Sequence, residues 1–231
     1  MPLTSDERPP RFIKSFVRRE GRITRAQERA LEAYWDEFGL QAQEGFLDWE
    51  RVFGRRAPVV CEIGFGDGRT LLEMARQDPA RDFVGVEVYR PGVGALLLRL
   101  KECGVGNVRV ALADAAEFLR DEVPPASLDE LLILFPDPWP KRRHHKRRLI
   151  QPPFVEMAAS RLVPGGRIHC ATDWEDYAAQ MMEVLSACGM LRNVAGPNRF
   201  AQSSCRTRTK YEDRGEKLGH RTWDLIFERT V

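Results

Sequence analysis

Between Pro58 and about residue 190, short apolar runs alternate with amphipathic ones, and this alternation restricts the fold more than any other feature of the chain. The apolar runs are VVCEIG (59–64), DFVGVEV (82–88), NVRVALA (107–113), LDELLILF (128–135) and GRIHCAT (166–172). The segments between them read as helices: RTLLEMARQ (69–77), GALLLRLKEC (94–103, stopped by Gly104), a short one around Ala115 to Leu119, FVEMAASRL (154–162) and WEDYAAQMMEVLSAC (174–188). Strands separated by helices require right-handed crossovers, which produce a parallel sheet covered on both faces. The tail HRTWDLIFER (220–229) alternates as a strand does, with no helix after it, and is expected to add antiparallel at the sheet edge.

Upstream, ITRAQERALEAYWDEFGL places Leu31, Trp35 and Phe38 at helical spacing, so a helix is expected to lead into the domain, followed by a short polar connection to Pro58. Residues 1–26 read as a basic arm, ordered only where the domain or a nucleic acid holds it, and residues 27–231 as one domain. With 43% hydrophobic and 30% charged residues, wholesale disorder is excluded. No apolar run approaches the roughly 20 residues of a membrane span, and the N-terminal stretch lacks the apolar segment of a secretory signal. The five cysteines show no C-x-x-C spacing, which fits a reducing, cytoplasmic setting and no bound metal. Net charge is only +2, but it is unevenly spread: Arg8 to Arg25 is rich in cations, and Lys141 to Arg148 holds six Lys/Arg in eight positions. Such clusters imply a local surface for a polyanion.

In open sheets of this kind ligands sit beyond the carboxyl ends of the strands. The first such end reads EIGFGDGR, where Gly64, Gly66 and Gly68 permit a tight turn and close backbone approach. A dinucleotide loop needs its third glycine one residue later, where Arg69 stands, and this disfavours a nicotinamide-dependent oxidoreductase. Glu62 would repel a pyrophosphate but suits an ammonium group. Glu87 ends the second strand, placed to accept from ribose hydroxyls. Asp114 follows the third, placed either to cap a helix or to accept from an adenine amino group. Three acids and a glycine loop at one end of a sheet resemble the S-adenosylmethionine-dependent methyltransferase fold. That resemblance implies an α/β, Rossmann-like, doubly wound sheet of seven mostly parallel strands with an antiparallel C-terminal strand.

The fourth strand leads into FPDPWPKRRHHKRR (135–148). Asp137 is held between Pro136 and Pro138, with Pro140 beyond. Proline fixes its own φ and biases the residue before it towards extended structure, so the corner is expected to be stiff. Trp139 is expected to pack as a wall or to stack on a base. Charge as dense as that of the following block suits nucleic-acid phosphates. His144 and His145 have no ligand partners at metal spacing and read as neutral contacts.

This stretch, with RTKYEDRGEKLGHRTWDL (208–225) and the basic leader SFVRREGR, resembles the bacterial tRNA (guanine-N7-)-methyltransferase family. The resemblance implies S-adenosylmethionine binding by Glu62, Glu87, Asp114 and Asp137 alongside the glycine loop, with Asp137 also the catalytic residue. It implies substrate binding by Lys141, Asp173, Thr209, Lys210, Tyr211 and Glu212. RNA contact falls to Arg143, His144, His145, Lys146, Arg147 and Arg148, and the substrate is a guanine in the variable loop of tRNA. Guanine N7 carries an in-plane lone pair, so no proton has to be removed before attack, and Asp137 is expected to orient and to offset positive charge. Asp173 or Glu212 is expected to accept from the guanine Watson–Crick edge, with a helix-cap role as the rival for Asp173. Another nucleic-acid methyltransferase, or an RNA-binding module without catalysis, are the alternatives to be separated.

Overall fold

The apolar runs become strands because their residues are buried on both sides. In the first, Val59, Cys61 and Ile63 face one core and Val60 the other; Leu131 and Ile133 likewise oppose Leu132 and Leu134 in the fourth. The computed structural model describes residues 14–16, 21–41, 45–202 and 221–230. Its elements in chain order are α1 (Arg25–Phe38), α2 (Trp49–Phe53), β1 (Val59–Ile63), α3 (Arg69–Gln77), β2 (Asp82–Glu87), α4 (Arg90–Cys103), β3 (Val108–Leu112), α5 (Ala115–Asp121), β4 (Leu128–Leu134), a 3-10 turn (Arg142–Arg147), α6 (Pro152–Arg161), β5 (Leu162–Thr172), α7 (Glu175–Ala187), β6 (Leu191–Asn193) and β7 (Trp223–Arg229).

The seven strands form one sheet in the order β3-β2-β1-β4-β5-β7-β6. Pairings among β1 to β5 are parallel, and β7 runs antiparallel to both β5 and β6. The tail strand is therefore not at the edge, as its sequence suggested. It is inserted between β5 and the three-residue β6, which is too short to show a period. His169 on β5 and Asp224 on β7, both buried, meet at 2.8 Å across that pairing.

Leu31 and Phe38 of α1 share one core with Leu71 of α3 and Leu96 and Leu97 of α4. Phe118 of α5, Phe154 of α6, and Tyr177, Met181 and Leu185 of α7 build the other. Helix α1 begins two residues before the domain boundary read from sequence, because Thr24 and Gln27 form a reciprocal capping box. The connection to Pro58 contains α2, capped by Asp48, and Leu40 donates to the Val110 carbonyl at the free edge of β3. Helix α4 starts at Arg90 rather than at Gly94, since Pro91 in the first turn gives up only a donor that would be unpaired anyway. Among the described residues, no helix is long and apolar enough to cross a membrane.

Candidate active site

Strand order reverses at β1 and β4, whose carboxyl ends lie side by side. The glycine loop leaves one and the Asp137 corner leaves the other, so both open onto the crevice that such a reversal creates.

Glu62 is the penultimate residue of β1 and only 3% exposed. Its Oε2 is buried and meets no hydrogen-bond partner among the described residues. Burial first, and then the negative fields of Glu87 and Asp67, push its carboxyl up from an ordinary 4.5 to about 8. Burying its charged form costs free energy unless a cation or hydrogen-bond donor meets it. Glu87 closes β2: its Oε2 accepts from the Gly66 N–H at 2.9 Å, and its Oε1 from the N–H groups of Val88 (2.7 Å) and Tyr89 (3.0 Å). Burial raises the Glu87 pKa, the three N–H donors pull it back, and the field of Asp137 adds to the rise. The field of Glu87 thus reaches Glu62, and that of Asp137 reaches Glu87.

The loop is shaped by its neighbours. Gly68 has φ +73° and provides the N-cap of α3. Gly92 in the first turn of α4 lies so near that any Cβ there would overlap the Gly66 carbonyl oxygen. Gly92 was not singled out in the sequence, because its reason lies 26 residues away (92 − 66), in another loop. Arg99 donates to the Asp67 carbonyl and so pins the loop to α4. Asp114 does cap α5, accepting from the N–H groups of Ala116 (2.9 Å) and Glu117 (3.2 Å) through Oδ1 alone.

Asp137 is exposed on the corner after β4. Extended backbone was expected before each proline, but Phe135 (φ +53°) and Trp139 (φ +46°) take the left-handed region instead. Each stands directly before a proline, and residues in this region persist only where surrounding contacts over-determine them. The Phe135 N–H donates to Ala171 O on β5 at 2.8 Å. Trp139 acts as a wall: Arg147 stacks 4.3 Å over its ring, His144 meets it edge-on at 5.8 Å, and its Nε1–H donates to Ser15 O at 3.0 Å. The leader therefore touches the corner at Ser15, and at Gly21 it packs on Tyr89, just past Glu87.

The basic block is not a uniform ridge. Lys141, Arg142, Arg143 and Lys146 are exposed, whereas His144, His145 and Arg147 are half-buried. Arg142, absent from the expected RNA set, is as open as its neighbours. The His144 pKa is lowered, by partial desolvation first and then by the surrounding cations, which favours the neutral ring. Arg148 was expected to contact RNA, but its side chain is 1% exposed and turned inward onto Asp176. Asp173 follows β5, the sheet neighbour of β4, and precedes α7. The N-cap position of that helix is Trp174, whose side chain makes no cap bond, and Asp173 is the residue before it. Thr209, Lys210, Tyr211 and Glu212 lie outside the described residues.

A family model described as "Putative methyltransferase" matches residues 56–225, the span from β1 into β7. The chain resembles the 16S rRNA methyltransferase KamB in fold, with a TM-score of 0.60 at 18% identity over 84% of this chain and 98% of that one. It is 53% identical over 223 residues to the tRNA (guanine-N(7)-)-methyltransferase of Methylococcus capsulatus, covering 96% of each chain. It is also 53% identical over 225 residues to the enzyme of that name from Pseudomonas aeruginosa, covering 97% of this chain and 92% of the other. Likeness at this level along nearly the whole length, on a sheet wound as a methyltransferase's is, makes the chain a member of the bacterial tRNA (guanine-N7-)-methyltransferase family.

Proposed function

We propose that this protein methylates N7 of a guanine in the variable loop of tRNA, using S-adenosylmethionine as donor. The observation that carries the reading is the unpartnered, buried Oε2 of Glu62 at the β1–β4 reversal. It asks for a cation in a crevice otherwise rimmed by acids, and it fits an amino-acid ammonium while rejecting a phosphate. When bound, S-adenosylmethionine supplies a methyl group on a positively charged sulfur. Glu62 holds the ammonium group. Glu87, with three N–H groups already on its two oxygens, retains capacity for a ribose hydroxyl. The second oxygen of Asp114, which the helix cap does not use, suits an adenine amino group.

Guanine N7 needs no general base, so catalysis rests on alignment and on charge stabilisation. Asp137, on the corner after β4, orients the reacting groups and offsets the charge that develops on the purine as it becomes cationic. Asp173, on the α7 side, or Glu212 accepts from the N1–H and N2–H₂ donors of an extruded guanine, an edge that adenine does not present. Lys141, Arg142, Arg143 and Lys146 face solvent beside the corner and hold phosphates. The reaction locates the enzyme where tRNA is processed, in the cytoplasm.

Incubation of the protein with unmodified tRNA and methyl-labelled donor, followed by digestion to nucleosides, is expected to give labelled 7-methylguanosine. Label on any other nucleoside, or bound tRNA without label, overturns the reading.

A further inference from the structure

Arg148 looks like the last cation of an RNA-binding run, yet almost none of its side chain reaches solvent. Its Nε donates to the Pro138 carbonyl at 2.8 Å, one residue past Asp137. Nη1 donates to Gln180 Oε1 at 2.6 Å, and Nη2 donates to Asp176 Oδ2 at 2.6 Å. Nη2 also lies 3.2 Å from His145 Nε2, and the guanidinium stacks 4.7 Å over the ring of Tyr177. Asp176, Tyr177 and Gln180 all belong to α7, the helix that follows Asp173.

We propose that Arg148 is a positioning residue for methyl transfer, which locks the Asp137 corner to the start of α7, and that it is not a phosphate contact. This rests on the function proposed above. The reasoning begins with proline. Pro136, Pro138 and Pro140 have no N–H, so the corner cannot close hydrogen bonds from its own backbone at those positions. Donors must come from elsewhere, and two residues of the corner stand at positive φ, where the chain relaxes unless it is held. The Arg148 Nε–H meets the carbonyl between the two positive-φ residues. The rest of the same planar fork is committed to α7, so one rigid group fixes the distance between the residue that orients the reacting atoms and the side of the crevice proposed to read the base. The neighbouring chain reinforces the clamp: the Ile150 N–H donates to the Tyr177 hydroxyl at 3.1 Å, and Gln180 Nε2 donates to Ile150 O at 3.2 Å. Lysine cannot reproduce this, because an ammonium lacks the planar fork.

The test compares wild type with Arg148→Lys and Asp176→Asn, measuring the methylation rate at saturating tRNA and donor, and tRNA affinity across a salt series. Displacement of a catalytic group by about 1 Å costs on the order of 100-fold, so Arg148→Lys is expected to lower the saturated rate by about 10- to 100-fold. Its tRNA Kd and salt slope should stay within about twofold of wild type, as expected where no phosphate contact has been removed. Asp176→Asn, which keeps a carbonyl oxygen able to accept from Arg148 Nη2, should give a smaller rate loss in the same pattern. Combined with Arg148→Lys, it should add little, because the two share one interaction. Weakened tRNA binding with a shallower salt slope and an intact saturated rate would show that Arg148 contacts phosphate, and would overturn the proposal. An unchanged rate in both variants would overturn it as well. If Arg148→Lys does not fold, Asp176→Asn alone decides. Wild-type protein in the same assay separates the two ideas: failure to form 7-methylguanosine counts against the function, whereas normal wild-type activity with active variants counts against the brace alone.

Discussion

The backbone N–H of Gly66 donates to Glu87 Oε2 at 2.9 Å, so the carboxylate that ends β2 also holds the loop that leaves β1. One side chain thereby ties the shape of the glycine loop to the end of β2, the position proposed above to hold the donor's ribose. The charge is needed for both jobs, since three N–H donors converge on the two oxygens.

Glu87→Gln presents an NH₂ to at least one of these donors. Losing hydrogen bonds to a charged acceptor costs about 1.5–3 kcal/mol, so affinity for S-adenosylmethionine is expected to fall by about 10- to 100-fold. Titration calorimetry checks this. Unaltered affinity would mean that the loop keeps its shape without the carboxylate.

Glu62 gives a pH signature with a definite sign. Its pKa rises on folding from an ordinary 4.5 to about 8, so the folded chain keeps a proton that the unfolded chain has released. Its contribution to stability is present below about pH 4.5 and is lost as pH rises towards 8. An ammonium beside Glu62 expels that proton, so donor affinity is expected to increase with pH between about 6 and 7.5, by at most about tenfold per unit. Glu62→Gln should bind donor weakly with little pH dependence, and its unliganded melting temperature should fall less over the same range. A wild-type affinity that is flat with pH would contradict the assignment.

These groups were legible to different degrees, for physical reasons. Val60 and Cys61 belong to opposite cores, so β1 reads as a continuous apolar run, and the acid near its end stands out. Glu62, Glu87, Asp114 and Asp137 could be placed at strand ends because the register of a wound sheet depends on local pattern. Arg148 could not be read in this way. In a run of eight residues holding six cations each looks solvated, and what buries this one is the Pro138 carbonyl together with Asp176 and Gln180, 28 and 32 residues away. The same limit hid Gly92, whose constraint is the Gly66 carbonyl, and β6, whose three residues are too few for a pattern.

The exposed cations should register in salt dependence. Each phosphate contact on single-stranded or looped RNA contributes about −0.7 to the slope of log K against log salt. Arg142→Gln and Arg143→Gln are each expected to make the slope shallower by about that amount and to weaken tRNA binding, with the saturated methylation rate close to wild type. Filter binding across a salt series measures this. An unchanged slope in both variants would move the RNA path away from the 3-10 turn.

Base selection is the most demanding inference for the α7 side. A carboxylate that accepts from both N1–H and the 2-amino group of guanine loses one partner when the base is hypoxanthine, which keeps N7 and N1–H. Leaving one such bond unmade costs about 1–3 kcal/mol. Wild-type protein should therefore prefer tRNA with guanosine over inosine at the modified position by about 5- to 100-fold in kcat/KM. If Asp173 is the reader, Asp173→Asn erases most of that preference by slowing the guanosine substrate while leaving the inosine substrate nearly as before. Collapse of the preference in Glu212→Gln, with Asp173→Asn still selective, assigns the role to Glu212 instead. A preference that survives in both variants removes carboxylate reading of the guanine edge, and selectivity would then have to come from the shape of the tRNA loop.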